Sequence, residues 1–180
     1  MTNRYVILDR DGVINADSDA FIKSAAEWLP IAGSLEAIAL LNQHGFKVVV
    51  ITNQSGIARG LFDLDTLTAI HSKMQTLLTA VNGKIEAIYF CPHGPQDLCE
   101  CRKPKPGLFK QFAQEMSVEL SNTFSIGDSY RDIEASLAVN AKPLLVKTGK
   151  GLITLDNHPE LTIPIFEHLY DAATYIIKHS

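Results

Sequence analysis

A doubly wound, Rossmann-like parallel sheet with helices on both faces is the fold class that this 180-residue sequence predicts. Three observations carry it. Five short apolar runs rich in β-branched residues recur along the chain. Amphipathic helical patterns lie between them. Two long aperiodic stretches, residues 10–33 and 92–105, each follow one of the apolar runs. Open α/β sheets bind ligands beyond the carboxyl ends of their strands, where both stretches emerge.

The elements follow in chain order. YVIL (5–8) and KVVVIT (47–52) are apolar without alternation, the mark of strands covered on both faces. Between them SLEAIALLNQH (34–44) predicts a helix with Ser34 as its N-cap and Gly45 just past its end. Residues 64–81 place Leu64, Leu67, Ile70, Met74, Leu77, Leu78 and Val81 at spacings of three and four, an amphipathic stripe. AIYF (87–90), TFSI (123–126) and PLLV (143–146) supply three further strands, with helices over 106–116, 131–139 and 167–178. The alternation implies right-handed crossovers. No repeat or linker divides the chain, so a single domain spanning 1–180 is expected.

Composition bounds the function classes. A hydrophobic share of 46%, a charged share of 20% and a net charge of −4 describe a globular protein without the basic footprint of a nucleic-acid binder. No stretch approaches the roughly 18 apolar residues of a membrane span, and MTNRYVILD lacks a signal-peptide core. A cytoplasmic protein with no nucleic-acid and no membrane partner is the expectation. In a reducing compartment the three clustered cysteines are metal ligands or redox groups before they are a disulfide framework.

Chemistry gathers at the strand ends. The first strand runs into LDRDGVIN, where Asp9 and Asp11, two apart, point to the same side if the backbone stays extended. The second ends in Thr52, Asn53, Gln54 and Ser55. After the third come the cysteines, then Arg102 and Lys103. The fourth ends in Gly127 and Asp128, with Asp132 four residues on. Any one of these is an ordinary turn or solvated charge. Four strands delivering polar groups to one edge are a site.

LDRDGVIN, TNQSGIARG, CRKPKPG and IGDSYRD together resemble the four ordered motifs of the haloacid-dehalogenase superfamily of aspartate-nucleophile phosphatases. More narrowly the chain is similar to its heptose bisphosphate and histidinol-phosphate phosphatase group, which adds a Cys-x-His…Cys-x-Cys zinc loop. The resemblance runs from about residue 5 to KTGKG at 147–151. It implies that Asp9 attacks phosphorus to form an aspartyl-phosphate, and that Asp11 protonates the leaving oxygen and then deprotonates the water. Asp9, the backbone carbonyl of Asp11 and Asp128 would hold magnesium, a cation suited to few carboxylates plus phosphate oxygens. Thr52 and Lys103 would donate to the phosphoryl oxygens, and Asp132 would pair with Lys103. One group serving as acid and then base needs a pKa above that of Asp9, so Asp11 is expected to be the higher of the two.

Cys91, His93, Cys99 and Cys101 offer three thiolates and one imidazole, a closed tetrahedral set that fits structural zinc. A redox pair of Cys99 and Cys101 would leave Cys91 and His93 unexplained. The metal would fold a polar loop whose end presents Arg102 and Lys103.

Connections too short for a cap domain leave substrate selection to loop 16–33, the turn at 55–60 and the zinc loop. Asp17, Asn53, Gln54, Ser55, Arg59 and Arg102 are the candidate substrate contacts, and a small phosphorylated sugar is the expected partner of a monomeric enzyme. The resemblance implies removal of the 7-phosphate of D-glycero-D-manno-heptose 1,7-bisphosphate, a step toward bacterial surface sugars. The GIARG turn matches that reading, whereas the five residues between His93 and Cys99 match the histidinol-phosphate type. From other classes, a phosphoacceptor switch domain and a zinc-stabilised nucleic-acid module remain. Asp11 beside Asp9 argues against the first and the acidic balance against the second.

Overall fold

A computed structural model describes residues 4–180 of the chain. Six strands form one parallel sheet: β1 (Arg4–Leu8), β2 (Phe46–Asn53), β3 (Ile85–Cys91), β4 (Phe124–Gly127), β5 (Lys142–Val146) and β6 (Ile165–Phe166). Their order is β3-β2-β1-β4-β5-β6, so the winding reverses between β1 and β4. The helices are α1 (Ser34–Gln43), α2 (Leu64–Ala80), α3 (Gly107–Met116), α4 (Tyr130–Leu137), α5 (Gly151–Asn157) and α6 (Leu169–Lys178).

Each central strand feeds two cores by its two-residue period. Val6 and Leu8 of β1 and Val48 and Val50 of β2 face α1, α2 and α6, in the core that holds Ile38, Leu41, Ile70, Leu78 and Ile176. Tyr5 and Ile7, Val49 and Ile51 face the other way, onto Leu108, Phe109 and Phe112 of α3 and Ala135 of α4. That double burial explains why the strands read as continuous apolar runs. Phe112 stands edge-on to both Tyr5 and Tyr89, at centroid separations of 5.2 and 6.0 Å.

The expected strands and five expected helices are present. Two elements had no sequence signal: the two-residue β6 and the seven-residue α5, too short for a period to register. The cap of α1 differs from expectation. Gly33, at φ 81°, is the N-cap, and the hydroxyl of Ser34 donates instead to the carbonyl of Ile14 at 2.6 Å. Ser34 thereby ties the helix start to the loop after β1. No helix of the described residues is long and apolar enough to cross a membrane.

Register positions the site. Leu8 lies level with Val50 and with Ile126, and Asn53 with Cys91, so the chain leaves four strands at one edge. Among the described residues no cap interrupts that edge, and the longest connections are those after β1 and after β3.

Candidate active site

Asp9 follows β1 directly, its amide still bonded to the carbonyl of Ile126 at 3.0 Å. The strand stops there. Residues 10–15 fold into a turn in which the amides of Val13, Ile14 and Asn15 converge on the Arg10 carbonyl. Asp9 and Asp11 are therefore neighbours through a turn, not through strand alternation as the sequence suggested. Gly12, at φ 84°, makes the turn possible, and any Cβ there would collide with the carboxylate of Asp128.

Lys103 organises the floor. The residue is 3% exposed, and its ammonium contacts Asp9 Oδ1 at 3.0 Å, Asp132 Oδ1 at 2.7 Å and the carbonyl of Ile51 at 2.8 Å. Its backbone is clamped by Asn53, whose amide nitrogen donates to the Lys103 carbonyl at 3.1 Å while its oxygen accepts from the Lys103 amide at 3.0 Å. Both ends of the Asn53 amide are thus engaged by protein. Asp132 also accepts from the hydroxyl and amide of Ser129, in the capping box that starts α4. Gly127 makes room for it, since a Cβ there would overlap the Asp132 carboxyl.

Carboxylate oxygens of Asp9, Asp128 and Asp132 lie within 4.8 Å of one another, a group that could hold a cation. Asp132 is committed to Lys103 and Ser129, which leaves Asp9 and Asp128 as the open pair. Burial pushes the Asp128 carboxyl up to about 8, with Asp9 and Asp132 adding repulsion. Burial likewise pushes Asp9 up to about 7, against the pull of Lys103. Two buried carboxyls that resist ionisation are the donor set a divalent cation would relieve.

Asp11 behaves in the opposite sense. Its burial is outweighed by Arg10 and by hydrogen bonds from Asn15 and Gln54, and its pKa falls below the ordinary carboxylate value. The expectation that Asp11 would titrate above Asp9 is therefore reversed. The cause is Arg10, which the sequence reading passed over: it is fully enclosed and donates to both Asp11 oxygens, at 3.0 and 3.2 Å.

A cavity of about 350 Å³ opens above this floor. Of the predicted residues, Asp9, Asp11, Asp17, Asn53, Gln54, Ser55, Arg59, Arg102, Lys103 and Asp128 line it. Thr52 is 1% exposed and lies behind this lining, its hydroxyl accepting from Gln54 Nε2 at 3.0 Å. Asp17 lies 3.6 Å from the ammonium of Lys150, another residue of the lining. Two lining cations had been missed, Arg131 and Lys150. Arg131 stands in IGDSYRD between Asp128 and Asp132, where local pattern does not set it apart from a solvated charge. Lys150 lies in KTGKG and also donates its amide to Asp128 at 2.8 Å.

The cysteine cluster is assembled beside the cavity. Cys91 Sγ lies 3.0 Å from Cys101 Sγ and 3.6 Å from Cys99 Sγ, and His93 Nδ1 lies 3.2 Å from Cys101 Sγ and 3.5 Å from Cys91 Sγ. Tetrahedral zinc with bonds of about 2.3 Å to sulfur needs ligand separations of this order. The cysteines are free, with no disulfide among them. From the same loop, Arg102 donates to the His93 carbonyl at 3.3 Å and turns its guanidinium into the cavity.

The family described as polynucleotide kinase 3 phosphatase matches residues 6–140. A D-glycero-beta-D-manno-heptose-1,7-bisphosphate 7-phosphatase of Pseudomonas aeruginosa is 50% identical over 179 residues, covering 99% of this chain and 100% of its own. A protein of the same name from Neisseria meningitidis serogroup A is 47% identical, over 98% and 96% of the two chains. The crystal structure of D,D-heptose 1,7-bisphosphate phosphatase from B. bronchiseptica, complexed with magnesium and phosphate, superposes with a TM-score of 0.95. It shares 46% of its sequence and covers 98% of this chain and 99% of its own. With identity near one half over the full length, and with the four motifs at one sheet edge, the chain belongs to the haloacid-dehalogenase phosphatases, in the group that contains the D-glycero-beta-D-manno-heptose-1,7-bisphosphate 7-phosphatases.

Proposed function

We propose that this chain hydrolyses the 7-phosphate of D-glycero-β-D-manno-heptose 1,7-bisphosphate through an aspartyl-phosphate on Asp9. The observation that carries the reading is the ammonium of Lys103 held between Asp9 and Asp132, at 3.0 and 2.7 Å, on the floor of a polar cavity. A dianionic ester is repelled by a carboxylate nucleophile, so the site needs positive charge where the phosphoryl group sits. Lys103 supplies one such charge. Magnesium, held by Asp9 and Asp128, would supply the other when bound.

Asp9 attacks phosphorus in line with the leaving sugar oxygen, and the bond to that oxygen breaks as the bond to Asp9 forms. Lys103 donates to the phosphoryl oxygens. Asp132 keeps the ammonium oriented, and Asn53 fixes the backbone that carries it. Asp11 hands a proton to the departing oxygen and recovers one from the water that then attacks the phospho-aspartate. It rests ionised, ready for that second step. For the first step Asp11 takes up a proton from solvent as the dianionic ester docks beside it, since added negative charge favours the neutral acid. Thr52 donates its hydroxyl proton to a phosphoryl oxygen while its oxygen accepts from Gln54, which in turn holds Asp11.

Arg59, Arg102 and Arg131 surround the mouth and suit the second phosphate of a bisphosphate. The cysteines and His93 would hold zinc as a closed structural site, positioning Arg102 and Lys103 without touching the reaction. Work in the reducing cytoplasm is consistent with free thiols in that loop.

The test is phosphate release with magnesium from heptose 1,7-bisphosphate and from histidinol phosphate, with Asp9→Asn as control. Preference for the heptose, abolished in the variant, is the expected result. Preference for histidinol phosphate would move the substrate and keep the mechanism. Stable labelling of Asp9 without turnover would replace hydrolysis by a phosphoacceptor role.

A further inference from the structure

Arg10 stands out among the charged side chains. It is 0% exposed, and among the described residues Asp11 is its only ion-pair partner. A cation enclosed this way is costly unless each of its donors is used. All three nitrogens are used: Nε donates to Asp11 Oδ1 at 3.1 Å, Nη2 spans both Asp11 oxygens, and Nη1 reaches Nε2 of His71 at 3.1 Å. A guanidinium has no acceptor, so His71 must accept through Nε2 and carry its proton on Nδ1. Arg10 is absent from the cavity lining, and nothing in the reaction above calls for it.

His71 comes from α2, 61 residues away in sequence. The same helix sends Lys73 to the carbonyls of Ala25 and Trp28, both at 2.7 Å, and so pins the loop that follows the Asp11 turn. The helix α2 thus braces the active-site turn through His71 and the loop beyond it through Lys73.

We infer that Arg10 and His71 are positioning residues for Asp11: His71 sets the plane of the Arg10 fork, and the fork sets the direction of the Asp11 carboxylate. Neither touches the phosphoryl group. Burial and the adjacent Arg10 charge pull the His71 imidazole down to about 4, so it remains an acceptor in neutral solution. The inference rests on the reading of Asp11 as the proton-transfer group.

The experiment compares His71→Ala and His71→Gln, each in the native and the Asp11→Asn background. The readout is kcat/KM for heptose 1,7-bisphosphate and for p-nitrophenyl phosphate. The second substrate has a leaving group that departs without a proton, so it bypasses general acid catalysis. General acid–base catalysis contributes about 10²–10⁴-fold, and a misaimed Asp11 should forfeit roughly tenfold of it. His71→Ala is expected to lower kcat/KM for the sugar phosphate by that factor while p-nitrophenyl phosphate hardly responds. His71→Gln, whose side-chain oxygen can accept from Arg10, should restore most of the loss and serves alone if His71→Ala does not fold. In the Asp11→Asn background the His71 change should cost nothing further. Equal losses on both substrates, or additive losses with Asp11→Asn, would overturn the inference and leave His71 a packing residue. Full sugar-phosphate turnover by Asp11→Asn itself would instead sink the role of Asp11, and the inference with it.

Discussion

Asp128 and Asp9 are held at raised pKa values, about 8 and about 7, because burial strips water from two acids that also repel each other. An ordinary aspartate titrates near about 4. As pH rises through the window between those values, the unfolded chain releases these protons while the folded protein keeps them, so stability without metal falls as pH rises. Asparagine mimics the protonated form. Asp128→Asn is therefore expected to raise the melting temperature at pH 7 without magnesium, while abolishing turnover and the magnesium-induced rise in that temperature. Thermal melts with and without magnesium check this. A variant that melts lower in the metal-free state would mean that the carboxylate stabilises the fold. Activity at the expense of stability is a common bargain at such sites.

At the scale of elements, the segment between β3 and α3 depends on something other than an apolar core. Cys91 is buried at the end of β3, whereas Leu98 is 88% exposed and Asp97, Gln96 and Glu100 face solvent. Such a loop lacks the apolar burial to offset its ordering entropy, and four converging ligands can replace it. One zinc per chain by elemental analysis is the expectation. Removal by a chelator, followed by dialysis into magnesium, should abolish activity and leave the far-ultraviolet dichroism of the sheet and helices nearly unchanged. Restoration by zinc and not by magnesium would complete the case. Loss of the entire fold on chelation would make the loop part of the core instead. The helix α2 illustrates the complementary point. Its stripe of Leu67, Ile70, Met74 and Leu78 is legible as packing. His71 and Lys73 fall between those positions, outside the apolar stripe, and they reach the turn after Asp9 and the loop beyond it.

Over the whole molecule, a net charge of −4 coexists with a cavity mouth that carries Arg59, Arg102, Arg131 and Lys150. Lys103 stands among the acids of the floor, and the three arginines line the mouth together with Lys150, which faces Asp17 and Asp19, a layout that offers cations to both anionic ends of a substrate. Arg131→Ala is expected to raise KM for the bisphosphate about tenfold with kcat little changed, and to leave a sugar monophosphate almost unaffected. Steady-state kinetics on the two substrates decide it. Equal effects on both would assign Arg131 to the transferred phosphate. Added salt should weaken the bisphosphate more than the monophosphate, since screening acts on the exposed rim first.

Features set by local pattern were legible from residue order alone. Continuous apolar runs announced strands buried on both sides, and Asp9, Lys103, Asp128 and the cysteine cluster were legible because unlike chemistry recurred at successive strand ends. Tertiary structure decided the rest. β6 and α5 were too short for a period to register. Asp11 looked like the group that would hold its proton, because the enclosure of Arg10 and its bond to His71 bring together residues far apart in the chain. Asn53 looked like a substrate contact, and both ends of its amide are engaged by Lys103, whereas the Thr52 hydroxyl accepts from Gln54 and keeps its own proton to donate. A side chain's type fixes what it can donate or accept. Its partner, and hence its charge and direction, is set only when the sheet register and the helices behind it bring distant groups within about 3 Å.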